Sequence, residues 1–246
     1  MFDNFPQVLN NLFNKKKTEP RNTAYEIVTM TRPQSFIAEE YRTLRTNIQF
    51  SMVDKKLKTL QFTSSGPNEG KTTTAINVAV LFASQGKKVL LVDADMRRPS
   101  LHSIFQVSNQ KGLSTILTDE RPNPASVIYP LEHQRLFLMT SGIQPPNPSE
   151  LLASKQMNIL MQYFKEHYDL IIFDLPPILP VTDAQIMASK VDGTIFVIRH
   201  DSAHLNEVLQ AKEMLQRVHA NVIGAVFNDK PRNKKMSGTY YSQTEN

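Results

Sequence analysis

The segment QFTSSGPNEGKTTT, residues 61–74, constrains the fold of this chain more than any other feature. It places a glycine, a lysine and a threonine at 70–72, between a strand-like run and a helix-like run. In such a loop, backbone N–H groups converge on phosphate oxygens, a lysine reaches the β and γ phosphates, and a hydroxyl ligates Mg²⁺. The general pattern has glycine at the position of Ser65, whereas here the glycine is Gly66. The segment therefore predicts a triphosphate-binding loop that departs from the general pattern at one position.

Two apolar runs that end in aspartate accompany this loop. KKVLLVDADMRRP brings Asp93 and Asp95 to the end of one predicted strand, and YDLIIFDLPP brings Asp174 to the end of another. Open parallel sheets bind ligands at the carboxyl ends of their strands. Mg²⁺ is usually held by one or two carboxylates together with phosphates and water. Each aspartate alone is equally well explained as a strand-end or capping residue, but the three together predict a magnesium–nucleotide site.

Composition narrows the class of protein. The chain has 246 residues, of which 40% are hydrophobic, and this suits one α/β domain with appendages. The absence of cysteine excludes disulfides and zinc–thiolate sites, and it fits a reducing compartment. No apolar run approaches the roughly 18 residues that span a bilayer, and the first residues lack the regions of a signal peptide. We therefore expect a cytoplasmic or peripheral protein.

The excess positive charge lies at the two ends of the chain. The formal net charge is +5, and the central part is close to neutral. A nucleic-acid-binding protein more often carries a basic stripe on its folded domain, so no nucleic-acid partner is expected. Basic ends suit an anionic membrane surface or an acidic partner, and simple solubility explains them equally well. The apolar residues before Lys15 are spaced as in an amphipathic helix, although a disordered leader is an equal alternative.

Strand-like and helix-like segments alternate from residue 59 onward. This alternation predicts a P-loop NTPase-type α/β fold, with a mainly parallel sheet and helices on both faces. Right-handed crossovers would gather the loops that bear the lysine and the aspartates at one edge. The predicted strands are 59–63, 88–92, 136–140, 169–173, 194–198 and 221–227, and the predicted helices are 34–53, 73–84, 148–167 and 203–219.

Three regions follow from this pattern. Residues 1–33 are predicted to be a flexible basic leader, 34–229 a P-loop domain that includes the first long helix, and 230–246 a flexible tail. The tail contains Tyr240 and Tyr241. A tail has no core in which to bury aromatic rings, so the pair has either a chemical use or a chance origin.

The first long helix carries a regularly spaced charged trio. Glu39, Arg42 and Arg45 follow one another at intervals of three residues, so they lie roughly along one helix face. The trio either pairs with groups of a neighbouring subunit or forms a solvated face.

Four ordered motifs resemble those of the bacterial tyrosine kinases of capsule and exopolysaccharide synthesis. The resemblance is to the form in which the cytoplasmic kinase is separate from its transmembrane activator, and it covers nearly the whole chain. The motifs are SSGPNEGKT at 64–72, VDADMRRP at 92–99, SGIQPPNPSELL at 141–152 and IIFDLPP at 171–177.

This resemblance implies roles for individual residues. It implies ATP and Mg²⁺ as cofactors, phosphorylation of the tail tyrosines, a transmembrane activator as partner, and a ring-like homo-oligomer at the inner face of the membrane. Asp93 is expected to accept the tyrosine proton and Asp95 to assist at the metal, or the two exchange these roles. Arg97 or Arg98 would stabilise transferred charge, or would bind an aspartate or the tail. The expected catalytic residues are Lys71, Asp93 and Asp95; the nucleotide-binding residues Gly66, Asn68, Glu69, Gly70, Lys71, Thr72, Thr73 and Asn228; the metal ligands Thr72, Asp95 and Asp174; the phosphoacceptors Tyr240 and Tyr241; and the oligomer contacts Glu39, Arg42 and Arg45.

Two other functions are compatible with the sequence. A partitioning or cell-division ATPase of the same superfamily would hydrolyse ATP, but such proteins usually carry a lysine at the position of Gly66. An ATP-binding scaffold of a membrane polysaccharide complex would build an oligomer without useful catalysis, and the intact set of predicted catalytic residues argues against it.

Overall fold

The computed structural model describes residues 27–53, 57–131 and 135–229. Within these ranges, no helix combines the length and the apolar composition that crossing a membrane requires.

The secondary structure alternates as the sequence predicts. The strands are β1 (Thr59–Ser64), β2 (Val89–Asp93), β3 (Ile128–Pro130), β4 (Leu136–Met139), β5 (Leu170–Asp174), β6 (Gly193–Arg199) and β7 (Val222–Asn228). The helices are α1 (Val28–Thr31), α2 (Phe36–Val53), α3 (Lys71–Ser84), α4 (Leu101–Ile104), α5 (Leu113–Thr118), α6 (Pro148–Ala153), α7 (Lys155–His167), α8 (Asp183–Ala188) and α9 (Leu205–Arg217), with a 3₁₀ turn at Pro124–Val127.

The strands form one mixed sheet in the order β3-β4-β2-β5-β1-β6-β7. Every neighbouring pair is parallel except β3 with β4, which is antiparallel. The strand that precedes the phosphate loop, β1, lies between β5 and β6. The carboxyl ends of β1, β2 and β5 therefore meet at one edge, where open α/β sheets bind ligands.

Each face of the sheet is covered by a hydrophobic core. Alternate residues of a strand face opposite sides, and in β2 Val89 and Leu91 pack into one cluster while Leu90 and Val92 pack into the other. The first cluster includes α3 and Ile48 of α2, and the second includes residues of α5 to α9. The strands buried on both faces are rich in apolar residues, as expected for a parallel sheet between helical layers.

The predicted fold class is confirmed, and the six predicted strands agree with the structure to within one residue at each end. The prediction missed β3 and the short helices α1, α4, α5 and α8. It also did not separate α6 from the helix that follows it. The predicted helix 148–167 is wrong in one respect, since it is two helices. Ser154 has extended backbone angles between them, and its hydroxyl accepts a hydrogen bond from Met157 N at 3.2 Å, so it caps α7.

The start of the domain lies earlier than the predicted boundary at residue 34. In α1, Val28 and Thr29 are buried. Thr29 donates from its backbone N and its Oγ1 to Asn77 Oδ1 of α3, at 3.0 and 2.9 Å. The last part of the predicted leader therefore packs on the domain. The rest of that leader, residues 1–26, and the predicted tail, 230–246, lie outside the described residues.

Candidate nucleotide site

The loop between β1 and α3 has the backbone shape of a phosphate-binding loop. Asn68 and Gly70 have positive φ angles, of 62° and 91°. A Cβ atom on Gly70 would lie only 2.0 Å from Asn228 Nδ2. Left-handed backbone and close approach together make glycine necessary at this position.

Glu69 forms the inner support of this loop. Its side chain is buried, and Oε1 accepts hydrogen bonds from Ser65 Oγ and Gly66 N. Its Oε2 accepts from the backbone N of Arg199 at 3.1 Å. Burial raises the pKa of the Glu69 carboxyl above its usual value, whereas these hydrogen bonds lower it. Sequence reasoning placed Glu69 among nucleotide-binding residues, and the structure shows its carboxylate holding the loop to β6.

The start of α3 brings two polar side chains against the predicted carboxylates. Lys71 Nζ lies 3.5 Å from Asp95 Oδ2. Thr72 Oγ1 donates a hydrogen bond of 2.6 Å to Asp174 Oδ2. Four residues that the sequence assigned to one site are thus brought together.

Asp93 lies beside Asp174 at the ends of neighbouring strands. The two are paired in the parallel register of β2 and β5. Asp93 Oδ2 accepts hydrogen bonds from the backbone N atoms of Ser100 and Leu101, both at 3.0 Å, at the start of α4. Asp95 Oδ1 accepts from Arg98 N at 3.0 Å. The three carboxylates therefore differ in surroundings, and Asp93 is the one tied to the following helix.

Burial perturbs both strand-end carboxyls. Burial, together with the nearby charge of Asp174, raises the pKa of Asp93 to about 8, although its two backbone hydrogen bonds lower it. Burial also raises the pKa of Asp174 to about 6, although the charge of Lys71 and the Thr72 hydrogen bond lower it. Groups perturbed in this way, clustered beside a loop, are typical of functional sites.

The donor set fits a magnesium ion. Oδ1 of Asp93 and Oδ1 of Asp174 are buried without a hydrogen-bond partner among the described residues. An unpaired buried carboxylate oxygen is costly, and a cation would compensate it. Within the described ranges, no group of three or more histidine, cysteine or acidic side chains is arranged as a metal cage. Mg²⁺ takes few protein ligands and completes its shell with phosphate and water, so unpartnered carboxylate oxygens beside a phosphate loop suit it.

The two arginines that follow Asp95, Arg97 and Arg98, lie in different environments. Arg97 forms a two-pronged ion pair with Asp183, Nε to Oδ2 at 2.9 Å and Nη2 to Oδ1 at 3.0 Å. Asp183 is fully buried at the start of α8, while Arg98 is exposed. Of the two expected roles, Arg97 therefore binds an acidic group. Asp183 was not identified from the sequence, because nothing in its local pattern indicates a partner 86 residues away.

Asn228 and Arg199 connect the loop to the last two strands. Asn228 Nδ2 donates to the backbone O of Glu69 at 3.1 Å. Arg199 Nη1 donates to the backbone O of Asn68 at 3.1 Å, and its Nη2 lies 2.9 Å from Asp229 Oδ2. Asn228 thus contacts the loop, and its predicted contact with the nucleotide stays a prediction; Arg199 and Asp229 were not identified from the sequence. Thr73 is half-buried in the first turn of α3.

The charged trio of α2 is largely engaged within the chain. Arg42 pairs with Glu39, 2.5 Å from Nη1 to Oε2, and also donates to the carbonyl of Pro33. Arg45 Nη1 lies 2.7 Å from the side-chain oxygen of Gln85, with that amide oriented so that its oxygen faces the guanidinium. Glu39 is exposed. An oligomer contact by this trio stays a prediction. The predicted acceptors Tyr240 and Tyr241 lie outside the described residues.

Comparisons with known proteins agree with this geometry. Residues 66–225 match a family model described as an AAA domain. The chain is 42% identical to the tyrosine-protein kinase YwqD of Bacillus subtilis over 89% of this chain and 92% of that protein. It is 37% identical to the putative tyrosine-protein kinase CapB of Staphylococcus aureus, over 90% of this chain and 96% of that protein.

A solved structure shows the same fold. The kinase domain of the Escherichia coli tyrosine kinase ETK superposes with a TM-score of 0.80 at 32% identity, over 94% of this chain and 88% of that domain. A phosphate loop, a lysine and strand-end carboxylates at one sheet edge, together with these relatives, place the chain in the family of bacterial tyrosine-protein kinases.

Proposed function

We propose that this chain transfers the γ-phosphoryl group of MgATP to tyrosine hydroxyls in its own C-terminal tail, and that this regulates synthesis of a capsular or extracellular polysaccharide. The observation that carries the proposal is the convergence of the Lys71 ammonium, the Thr72 hydroxyl and the buried carboxylates of Asp93 and Asp174 beside one phosphate loop. Phosphoryl transfer requires positioning and charge neutralisation more than covalent chemistry from the protein, and this arrangement supplies both.

The loop binds the phosphates of the nucleotide. Backbone N–H groups from Asn68 to Thr73 contact phosphate oxygens, and Gly66 belongs to the same loop. Lys71 offsets negative charge on the β and γ phosphates. Asp95, 3.5 Å from Lys71 Nζ, keeps the ammonium at the site before the nucleotide binds. Asn228, hydrogen-bonded to the loop, is placed to contact the adenine ring.

Thr72, Asp174 and Asp95 would hold a magnesium ion, directly or through water. When bound, the ion would neutralise part of the negative charge of the nucleotide phosphates. The oxygens of Asp174 are suited to this role, because Thr72 already orients Oδ2 while Oδ1 has no partner among the described residues.

Asp93 accepts the proton of the attacking tyrosine hydroxyl. A general base works best when its pKa lies near the working pH. Burial raises the pKa of Asp93 to about 8, and its Oδ1 is left without a partner in the described part of the chain. The backbone N–H groups of Ser100 and Leu101 fix the other oxygen. Asp95, which faces Lys71, is the less suitable base.

The acceptors are Tyr240 and Tyr241 of a neighbouring subunit in a ring-like homo-oligomer. A segment of 12 residues extends at most roughly 40 Å, so a tail that starts at Asn228 has the reach to enter an adjacent site. Glu39, Arg42 and Arg45 contribute to the contact between subunits. The protein acts at the inner face of the cell membrane, where a transmembrane activator holds it.

The test is peptide mass spectrometry after incubation with MgATP and the cytoplasmic segment of the activator. Phosphate on Tyr240 or Tyr241 is expected in the natural chain and is expected to vanish in Lys71→Met, which removes the ammonium and keeps a side chain of similar length. A matched control is Lys165→Met, because Lys165 forms a comparable ion pair, with Asp192 at 3.0 Å, elsewhere in the domain.

The other outcomes identify the alternatives. ATP hydrolysis without phosphotyrosine would show a hydrolysing ATPase of the partitioning type. Nucleotide binding with neither activity, in the presence of the activator segment, would show a scaffold. Replacement of both tyrosines by phenylalanine with undiminished phosphorylation would overturn the assignment of the acceptors.

A further inference from the structure

Arg199, at the end of β6, joins the phosphate loop to the end of the domain. Its guanidinium donates to the backbone O of Asn68 at 3.1 Å and pairs with Asp229 Oδ2 at 2.9 Å. Its backbone N donates to Glu69 Oε2 at 3.1 Å. One residue therefore contacts two residues of the phosphate loop and the residue from which the C-terminal segment leaves.

The chain turns sharply where Arg199 holds it. Asp229 has a φ of 55°, in the left-handed region that aspartate and asparagine tolerate better than most residues. Its backbone N donates to Asn228 Oδ1 at 3.0 Å. Asn228 O accepts from His200 N at 3.0 Å, which continues the pairing of β6 with β7 to the last residue of β7. The direction in which the chain leaves β7 is thus set by contacts with the end of β6.

Helix α2 approaches the same place. Tyr41 of α2 packs against the core cluster that contains α3, and Thr74 of α3 donates from its Oγ1 to Gly70 O at 2.8 Å. Burial raises the pKa of Tyr41 to about 12, and the negative charge of Asp229 contributes to this rise. The end of the domain, the phosphate loop and the first long helix therefore meet in one region.

We propose that Arg199 is a positioning residue for phosphorylation of the chain's own tail: by anchoring Asp229 against the phosphate loop, it fixes the point from which residues 230–246 depart. The inference rests on the proposed function, since it concerns delivery of the tail tyrosines. The planar guanidinium suits the task because it donates in two directions at once, to a carbonyl and to a carboxylate. A tethered acceptor reaches its target at an effective concentration that depends on where the tether begins, so the anchor affects the tail and not a free substrate.

The first experiment measures how well the Asp229→Asn variant phosphorylates two substrates, its own tail and a free substrate. Asparagine tolerates the same backbone conformation but removes the charge that Arg199 binds. We expect phosphorylation of the chain's own tail to fall about two- to fivefold, the range expected of a partly exposed ion pair. Phosphorylation of a random copolymer of glutamate and tyrosine, added as a free substrate, is expected to stay unchanged. Asp229→Glu restores the charge and should recover part of the loss.

A matched control is Arg217→Gln, which removes an exposed ion pair with Glu213 on α9. This variant should phosphorylate both the tail and the copolymer as well as the natural chain does. Equal losses for tail and copolymer in Asp229→Asn would overturn the proposal, because they would show a general effect on the site. No loss for the tail would overturn it as well.

A second measurement does not depend on kinase activity. Hydrogen–deuterium exchange of the peptide 222–229 should be faster in Asp229→Asn and in Arg199→Lys than in the natural chain, and unchanged in Arg217→Gln. Unchanged hydrogen–deuterium exchange in all variants would overturn the proposal that Arg199 anchors Asp229. If the natural chain, supplied with MgATP and the cytoplasmic segment of the activator, phosphorylates neither tail nor copolymer, the proposed function fails, while the exchange result still decides whether the anchor exists.

Discussion

Thr72 Oγ1 and Asp174 Oδ2 are joined by a hydrogen bond of 2.6 Å that links the first turn of α3 to the end of β5. Both residues are buried. The hydroxyl keeps its lone pairs for a cation while its proton orients the carboxylate. One short contact therefore arranges two of the proposed magnesium ligands.

Thr72→Ala should weaken magnesium binding far more than Thr72→Ser. Alanine removes both the ligand oxygen and the partner of Asp174, whereas serine keeps the hydroxyl. We expect the alanine variant to need at least about tenfold more Mg²⁺ for half-maximal activity, and the loss of the buried hydrogen bond to cost about 1–3 kcal/mol of stability. Mg²⁺ titration of tyrosine phosphorylation and urea unfolding measure the two effects. Equal Mg²⁺ requirements in both variants would exclude the hydroxyl as a ligand.

The stability of the metal-free protein should fall as the pH rises toward 8. Burial raises the pKa of Asp93 to about 8 from an ordinary 3.8, so the folded protein keeps a proton that the unfolded chain releases. The folded state then binds more protons between about pH 4 and pH 8, and its free energy of unfolding decreases across this window. The raised pKa of Asp174, about 6, acts in the same direction.

Asp93→Asn should flatten this dependence. The asparagine oxygen still accepts from the backbone N atoms of Ser100 and Leu101, but the side chain no longer titrates. Melting temperatures recorded in EDTA from pH 5 to 8 give the slopes of the variant and the natural chain. Identical slopes would show that Asp93 has an ordinary pKa.

Three glycine-to-alanine variants separate crowding from backbone strain. Gly70 has both a positive φ and a contact of 2.0 Å, Gly86 has a positive φ of 86° in open space, and Gly224 has neither. We expect Gly86→Ala to cost about 1 kcal/mol and Gly70→Ala more than about 2 kcal/mol with loss of nucleotide binding. Gly224→Ala should be nearly neutral. Urea unfolding and ADP titration provide the values, and equal costs at Gly70 and Gly86 would contradict the crowding against Asn228.

The ion pair between Arg97 and Asp183 should stabilise the fold. Asp183→Asn removes the charge of a fully buried carboxylate and breaks a two-pronged interaction. Because Arg97 is partly exposed and regains water, we expect a loss of about 1–3 kcal/mol in urea unfolding. Arg98→Gln, at the exposed neighbour, should change the stability by less than about 0.5 kcal/mol. Similar losses in the two variants would mean that the pair contributes nothing specific.

Local patterns predicted the parts of the site that a single strand or loop encodes. The segment 64–72 and the apolar runs before Asp93 and Asp174 are continuous in sequence, and the parallel sheet brings their ends together. The same periodicity placed six strands correctly. β3 escaped prediction because its three residues, IYP, are too few to show an alternation and include a proline at an edge.

The partners of the site residues were not predictable in the same way. Arg97 with Asp183 and Arg199 with Asn68 are pairs separated by 86 and 131 residues, so no local spacing relates them. Ser154 shows a different cause. Its hydroxyl caps α7, and the residue itself lies at the C-terminal end of α6. The hydrophobic periodicity continues across both helices, so it predicted one helix despite the capping preference of serine.

The inward carboxylate of Glu69 has a consequence for affinity. Because it already binds Ser65, Gly66 and the backbone of Arg199, the phosphate loop is held in a defined shape through protein contacts alone. Ordering a flexible loop would otherwise consume part of the energy of association. A loop that is already ordered loses less conformational entropy when phosphate binds, so more of the energy of association remains as affinity.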